Sequence, residues 1–436
     1  MIDTEIVPRR FLFLQGLPTR FFHRLGAALT RRGHAVHKVN FNGGDRLFWR
    51  IPGAIDYRGT LETWPGVLTE LLDTHDITDI VLFGDCRPLH RVAIRLAAHR
   101  AIAVHVFEEG YLRPSWITHE LGGVNAFSSL PRDPDWYRRE AANLPPWEKE
   151  RPIAGSFARR SIEDVLYNVT TVALSWWFAG YRTHRPWHPF VEYAGWLGKF
   201  ARSPFIKRRA ERLMRGVMSS REPVYLFPLQ LDCDTQIREH SSFKRLEPAI
   251  DHVITSFARH APKDAQLVLK EHPLDNGLND WRRIVERIAT ARGVAARITY
   301  LEDGDLMALL KRARAVVTIN STVGTVALGQ GLPTIALGKA IYDIPGLTYQ
   351  GNLDAFWLQG TPPDPSLFEA FRSVIGAKTL IYGGFFSEQG LDAAIEGSIA
   401  KLEAADTFGR VSLQPSADSS LSDEELGAVP AGVRSV

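Results

Sequence analysis

Four short stretches of this 436-residue chain carry residues able to do chemistry. In the first, Glu108-Glu109-Gly110 is followed by Arg113, so two carboxylates and a guanidinium share one turn. Carboxylates can take or give protons. In the second, Asp232-Cys233-Asp234 has the Asp-x-Asp form that holds a divalent ion across a diphosphate in many sugar transferases, whereas a monophosphate-linked donor needs no such bridge. In the third, Glu271-His272-Pro273, the imidazole can donate to a phosphate oxygen and the proline fixes the turn that aims it. In the fourth, Asn320-Ser321-Thr322 opens a helix, where hydroxyls, free backbone N–H groups and the helix dipole all favour an anion. An ordinary capped βα loop has the same residue types.

Each stretch is expected at the carboxyl end of a strand. Ala101–Phe107 runs directly into Glu108. Val224–Phe227 precedes the Asp-x-Asp turn, Gln266–Lys270 precedes His272, and Ala315–Ile319 precedes Asn320. These runs are short, apolar and rich in β-branched residues, as buried parallel strands are. Helices are expected between them, including Arg20–Arg32, Trp64–His75, Leu246–His260 and Val323–Gln330. Strand and helix alternate in both halves of the chain, which implies two parallel sheets with helices on both faces. In open α/β sheets, ligands sit at such strand ends. No G-x-G-x-x-G is present, so NAD and FAD are set aside.

Length suggests two domains. The expected division is an N-terminal Rossmann-like domain over 1–220 that includes a helical region at 161–216. A C-terminal Rossmann-like domain follows over 221–405, ending in the helices Pro365–Ile375 and Gln389–Ala405 packed on its outside. A Ser-, Pro- and acid-rich tail over 411–436 has the composition of a disordered segment. The helical region is aromatic, with Trp176, Trp177, Phe178 and Tyr181, and then basic, with Lys207, Arg208, Arg209, Arg212 and Arg215. Aromatic residues beside a basic stripe suit an anionic membrane surface.

Composition is that of a globular protein, 45% hydrophobic and 23% charged. A net charge of +3 is too small to indicate a nucleic-acid partner. Two cysteines, Cys86 and Cys233, make neither a disulfide framework nor a zinc pattern and fit a reducing cytosol. No signal peptide and no apolar run of about 18 residues is visible, so no transmembrane helix is expected.

The stretches FEEGYLRP (107–114), PLQLDCDTQI (228–237), LKEHP (269–273) and INST with GLPTIALGKAIYD (319–343) together resemble the KpsS/KpsC family of capsular polysaccharide proteins, in collinear order over roughly the first 360 residues. The chain has one transferase unit rather than two in tandem, most like the KpsS branch. The resemblance implies a GT-B-like glycosyltransferase of two Rossmann-like domains facing a cleft. It implies a retaining β-Kdo transferase that uses CMP-Kdo, needs no metal or other cofactor, and starts a Kdo linker on a phosphatidylglycerol-type lipid. It also implies work at the inner face of the inner membrane beside a second Kdo transferase and an export complex.

Carried over by position, the resemblance makes Asp234 the nucleophile, with Asp232 an extra acid, and Glu108 or Glu109 the base, Glu108 being preferred. His272, Pro273, Asn320, Ser321 and Thr322 would bind the CMP phosphate. Arg113 would bind the Kdo carboxylate, and Gln230 would orient the nucleophile or the sugar. Trp176, Trp177, Lys207, Arg208 and Arg209 would face acceptor and membrane. A non-catalytic export accessory protein, or a transferase for another CMP- or UDP-sugar, would be the alternatives.

Overall fold

The computed structural model describes residues 7–147, 152–183, 185 and 187–404. Twelve strands form two sheets. The first seven-stranded sheet holds β1 (Arg10–Phe13), β2 (Ala35–Asn40), β3 (Ile55–Asp56), β4 (Asp79–Phe83), β5 (Ala103–Glu109) and β6 (Trp116–Leu121). The second holds β7 (Val224–Pro228), β8 (Gln266–Lys270), β9 (Ile298–Leu301), β10 (Ala315–Thr318) and β11 (Thr334–Ala336). The twelfth strand, β12 (Leu380–Tyr382), returns to the first sheet.

The second sheet is parallel throughout, in the order β11-β10-β7-β8-β9. The first has the order β12-β6-β5-β4-β1-β2-β3. It is parallel from β5 to β3, but β6 and β12 run antiparallel at its edge. This mixed edge differs from the wholly parallel sheet expected. Trp-Ile-Thr-His-Glu-Leu is too polar, and Leu-Ile-Tyr too short, to announce a buried strand.

Alternation along each strand builds a core on both faces of each sheet. Leu12 and Leu14 enter one cluster with Val104 and Val106, while Phe11 and Phe13 enter another with Phe21 and Phe107. In the second sheet Tyr225 and Phe227 face one cluster, and Val224 and Leu226 face the other. All eight of these β1 and β7 residues and their neighbours are essentially inaccessible to water, so both sheets are sandwiched between helices.

The closing helices differ from the expected division. The helix Pro365–Lys378 packs Leu367, Phe371 and Ile375 into a core of the first sheet, not the second. The helix Glu388–Ala404 packs Leu391, Ala394 and Leu402 against Phe11 and Phe13. The ion pair Arg24–Glu388 (3.0 Å) and the contact of His34 Nε2 with Glu403 (3.2 Å) reinforce it. The chain therefore crosses back, and the second unit ends before β12. The physical reason is β12 itself, whose pairing with β6 anchors both flanking helices on the first unit. The expected end at 405 and the 411–436 tail lie outside the described residues.

The helical region comprises Phe157–Ala173 and a 31-residue helix, Pro189–Ser219. Its seat is Asn42-Gly43-Gly44-Asp45, which folds into the start of the helix Gly43–Phe48. A Cβ on Gly43 would lie 2.2 Å from the Thr170 carbonyl oxygen, so only glycine lets the two backbones meet. Tyr167 seals the junction through hydrogen bonds with Asn42, Gln15 and Asp45.

Candidate active site

Strand ends of both sheets converge on one cleft. Glu108 and Glu109 are the last residues of β5. The chain turns at once, because β6 folds back beside β5. Gly110 allows this: a Cβ there would sit 2.1 Å from the Trp116 carbonyl oxygen. From the second sheet, Gln230 and Asp234 follow β7, His272 follows β8, and Asn320 follows β10. β7 and β10 are neighbours where strand order reverses, the position at which open α/β sheets bind ligands.

Asp234 on one wall lies near enough to Glu108 on the other for its charge to raise the Glu108 carboxyl. Burial, together with the charges of Glu109, Asp85 and Asp234, pushes the Glu108 carboxyl up to about 8. Glu109 behaves oppositely. Burial would raise it, but Arg113 and Arg160 hold it below the usual carboxylate range. Arg160 lies 2.9 Å from Oε1 and Arg113 pairs with Oε2. One turn thus holds a carboxyl that keeps its proton near neutrality and another that stays ionised.

On the opposite wall, Asp234 caps the short helix Thr235–Arg238, accepting from the Gln236 N–H at 2.9 Å. Burial raises its carboxyl, and Gln236, Arg113 and Gln230 offset this in part. Gln230 is in turn fixed by Asn320, which accepts its amide proton at 3.0 Å. Asn320 also donates to the Gln236 carbonyl at 2.7 Å. It is 7% exposed and Gln230 is 5% exposed. The role of Asn320 seen here is to tie together the loops after β7 and β10.

His272 Nδ1 accepts the Leu274 N–H at 3.1 Å, so in the neutral ring the proton sits on Nε2 as a donor. Burial, then Arg113, Lys270 and Arg160, pull its pKa down to about 4, so it is neutral at pH 7. Pro273 is exposed beside it. Ser321 Oγ accepts from the Val323 N–H at 3.2 Å, and Thr322 stands half-buried at the N-cap without a side-chain cap bond. The helix they open touches the other wall, where Thr325 Oγ1 donates to the Tyr111 carbonyl at 3.3 Å.

The two aspartates of Asp-x-Asp do different things. Asp232 Oδ1 accepts the Leu246 N–H at 2.7 Å and so supports the start of the helix Leu246–His260. Of the two, Asp234 is the one whose charge acts to raise the Glu108 carboxyl.

Two residues with no local signal also reach the site, both from the helical region. Arg160 meets the first wall at Glu109. Lys199 meets the second, 2.6 Å from Glu271 Oε1. In a sequence they are ordinary helix-surface cations, and only the packing of these helices over the cleft brings them in. Arg185 holds the two helices together through Asp164 (2.7 Å) and Glu192 (2.8 Å).

The expected surface residues divide. Trp176 is 71% exposed, and Lys207 and Arg208 are exposed. Trp177 instead donates to Asp56 at 3.0 Å under the Arg58 guanidinium. Arg209 is engaged by Glu302 and Glu286. Among the described residues no helix is long and apolar enough to cross a membrane.

Comparison with known proteins places the chain in a family. The family model described as capsule polysaccharide biosynthesis protein matches residues 78–386. The capsule polysaccharide export protein KpsS of Escherichia coli is 38% identical over 383 residues, covering 87% of this chain and 97% of that protein. The capsule polysaccharide modification protein LipB of Neisseria meningitidis serogroup B is 36% identical over 391 residues, covering 86% of this chain and 91% of its own length. Among solved structures, KpsC of Thermosulfurimonas dismutans, a beta Kdo 2,7 transferase, aligns with a TM-score of 0.42 at 15% identity, over 90% of this chain and all of that one. The match over most of the length, in a fold of two Rossmann-like units facing a cleft, means that this chain belongs to the capsule polysaccharide biosynthesis protein family.

Proposed function

We propose that this protein is a retaining β-Kdo transferase that takes Kdo from CMP-Kdo and places it on a phosphatidylglycerol-type lipid, starting the linker for capsular polysaccharide. The observation that carries the reading is the charge of Asp234 on one wall acting on Glu108 on the other, and the resemblance points to Asp234 and to Glu108 or Glu109. In the first step an Asp234 carboxylate oxygen bonds to the anomeric carbon of Kdo. The bond from that carbon to the CMP phosphate oxygen breaks, and CMP leaves with the electron pair. In the second step the acceptor hydroxyl bonds to the same carbon, the Asp234 ester opens, and the hydroxyl proton passes to Glu108. Two inversions retain configuration.

The electrostatics suit this order. Glu108 carries its proton near neutrality partly because Asp234 is charged. Once Asp234 is esterified that charge is gone, and Glu108 ionises more readily, ready to act as base. His272 Nε2–H and the hydroxyls of Ser321 and Thr322 provide neutral donors for the phosphate. Arg113 and Arg160 provide cations for the sugar carboxylate.

The test is transfer from CMP-Kdo to a fluorescent phosphatidylglycerol analogue in EDTA, read by mass spectrometry. A lipid heavier by one Kdo, with CMP released, supports the reading. Untouched CMP-Kdo, with both this acceptor and a Kdo-primed one, overturns it in favour of a non-catalytic export role or another donor.

A membrane-resident acceptor also gives a purpose to the outer face of the helical region. Ile162, Val165, Leu166 and Val169 form one helical stripe, each more than 40% exposed. Leu197 and Phe205 are more than 70% exposed on the second helix, near Lys207 and Arg208. Sedimentation with anionic phosphatidylglycerol vesicles is expected. Lys207→Glu with Arg208→Glu should weaken it by roughly 1 kcal/mol or more for each cation lost. Equal binding by parent and variant would count against this surface.

A further inference from the structure

Beside the catalytic pair, a second cluster bridges the two walls. Asp85 and Cys86 follow β4 in the first unit. His240 lies in the second unit, just beyond the short helix that Asp234 caps. Asp85 is 4% exposed and His240 2%. Cys86 Sγ lies 3.1 Å from Asp85 Oδ1 and 3.4 Å from His240 Nε2, and the three ligand atoms all lie within 4.8 Å of one another. Among the described residues this is the one group of three or more His, Cys, Asp or Glu side chains so arranged.

We propose that Asp85, Cys86 and His240 form a binding site for a zinc-class divalent ion that clasps the two units together across the cleft. Tetrahedral zinc with its usual bonds to sulfur, nitrogen and oxygen separates its ligand atoms by about 3.3–3.6 Å. The two distances to Sγ are already close to those edges, so little rearrangement is needed. The donor set is one soft thiolate, one imidazole and one carboxylate, which favours zinc or cobalt over magnesium or calcium.

The surroundings are those of a held site. Asp85 Oδ2 accepts the Val124 N–H at 2.8 Å, leaving Oδ1 turned to the cluster. His240 turns Nε2 to the sulfur; its buried Nδ1 has no hydrogen-bond partner, so ligation through Nε2 leaves that N–H unpaired. The adjacent cation Arg91 is neutralised by Glu239 at 2.5 Å, and Lys339 is the other nearby cation. Binding exchanges the Cys86 S–H bond for an S–metal bond and releases that proton to solvent. A water or small anion completes the four ligands. Because the ligands come from both units, the ion binds the closed cleft and not the open one, and it steadies the loop that carries Asp234.

The experiment is titration of the full, metal-stripped chain with Co²⁺. The readouts are the thiolate-to-cobalt charge-transfer absorption, metal stoichiometry by mass spectrometry, and thermal melting with Zn²⁺. The expected result is one equivalent of Co²⁺ with a sulfur charge-transfer band, displaced by Zn²⁺, and a higher Tm with Zn²⁺. Cys86→Ser should lose the band, and His240→Gln should weaken binding at least tenfold, while Cys233→Ser at the exposed cysteine changes neither. Circular dichroism of the variants without metal establishes that they fold. No charge-transfer band in the parent, or binding undiminished by both Cys86→Ser and His240→Gln, overturns the proposal. The outcome is independent of CMP-Kdo turnover, so this site and the proposed activity fail separately.

Discussion

The first sheet ends at the cleft in carboxylates and arginines, whereas the second ends in Asp234, two amides, a neutral imidazole and hydroxyls, with Glu271 taken up by Lys199. Both walls use the same device, a polar turn after a buried strand, but they solvate charge differently. On the first wall, Glu108 has acids for neighbours and holds its proton to about 8, while Glu109, one residue on, is held ionised by Arg113 and Arg160. On the second, His272 is pushed to neutrality by burial and by the arginines opposite it. The first wall is thus equipped to move a proton and to hold anions, and the second to present neutral donors and, in the proposed reaction, a nucleophile. Local cations, not the strand-end position as such, make that difference.

The largest effect should come from separating the two aspartates. Asp234→Asn keeps the helix cap but removes the nucleophile, and should lower kcat roughly 10⁴-fold, as loss of a covalent nucleophile does. Asp232→Ala should retain activity within a few-fold and cost about 1 kcal/mol in urea unfolding through the lost helix support. The reverse pattern would exchange their roles.

Next is Glu108→Gln, expected to lower transfer about 10²–10⁴-fold, the usual contribution of a proton-transfer group. In the parent, kcat/KM for the acceptor should rise with pH as Glu108 ionises, with its midpoint below about 8 because Asp234 is esterified at that step. Stability carries the opposite sign. The folded state binds this proton more tightly than the unfolded, so the contribution is full below about 4.5 and lost as pH rises through about 8. Glu108→Gln should therefore melt higher than the parent at pH 9, by on the order of 3 kcal/mol. A flat pH profile with unchanged stability would remove Glu108 from the mechanism.

Smaller again is Arg160→Ala. It should raise KM for the donor about tenfold to a hundredfold with little change in kcat, the scale of one charge-assisted hydrogen bond, and Arg160→Lys should recover part of it. An unchanged KM would mean that Arg160 serves only to hold Glu109.

Much of the site was legible because strand ends can be read from short apolar runs followed by polar turns. Glu108, Glu109, Asp234, His272 and Asn320 each follow such a run, and all five reach the cleft. What could not be read was partnership. Asp232 and Asp234 have equivalent signals, and only the Leu246 N–H separates their uses. Arg160, Lys199, Cys86 and His240 lie far in sequence from the residues they meet. Trp177 looked like Trp176, but it is occupied by Asp56 and Arg58.

By itself, then, the sequence determined the alternation of strand and helix, the strand-end turns and the family. These follow from local patterning, which acts over a few residues. The tertiary structure decided the antiparallel edge, the return of the last helices to the first unit, the seating of the inserted helices over the cleft and the charge state of each acid. Those depend on pairing and burial between distant segments, where a three-residue strand such as β12 is stabilised only by the neighbour it meets.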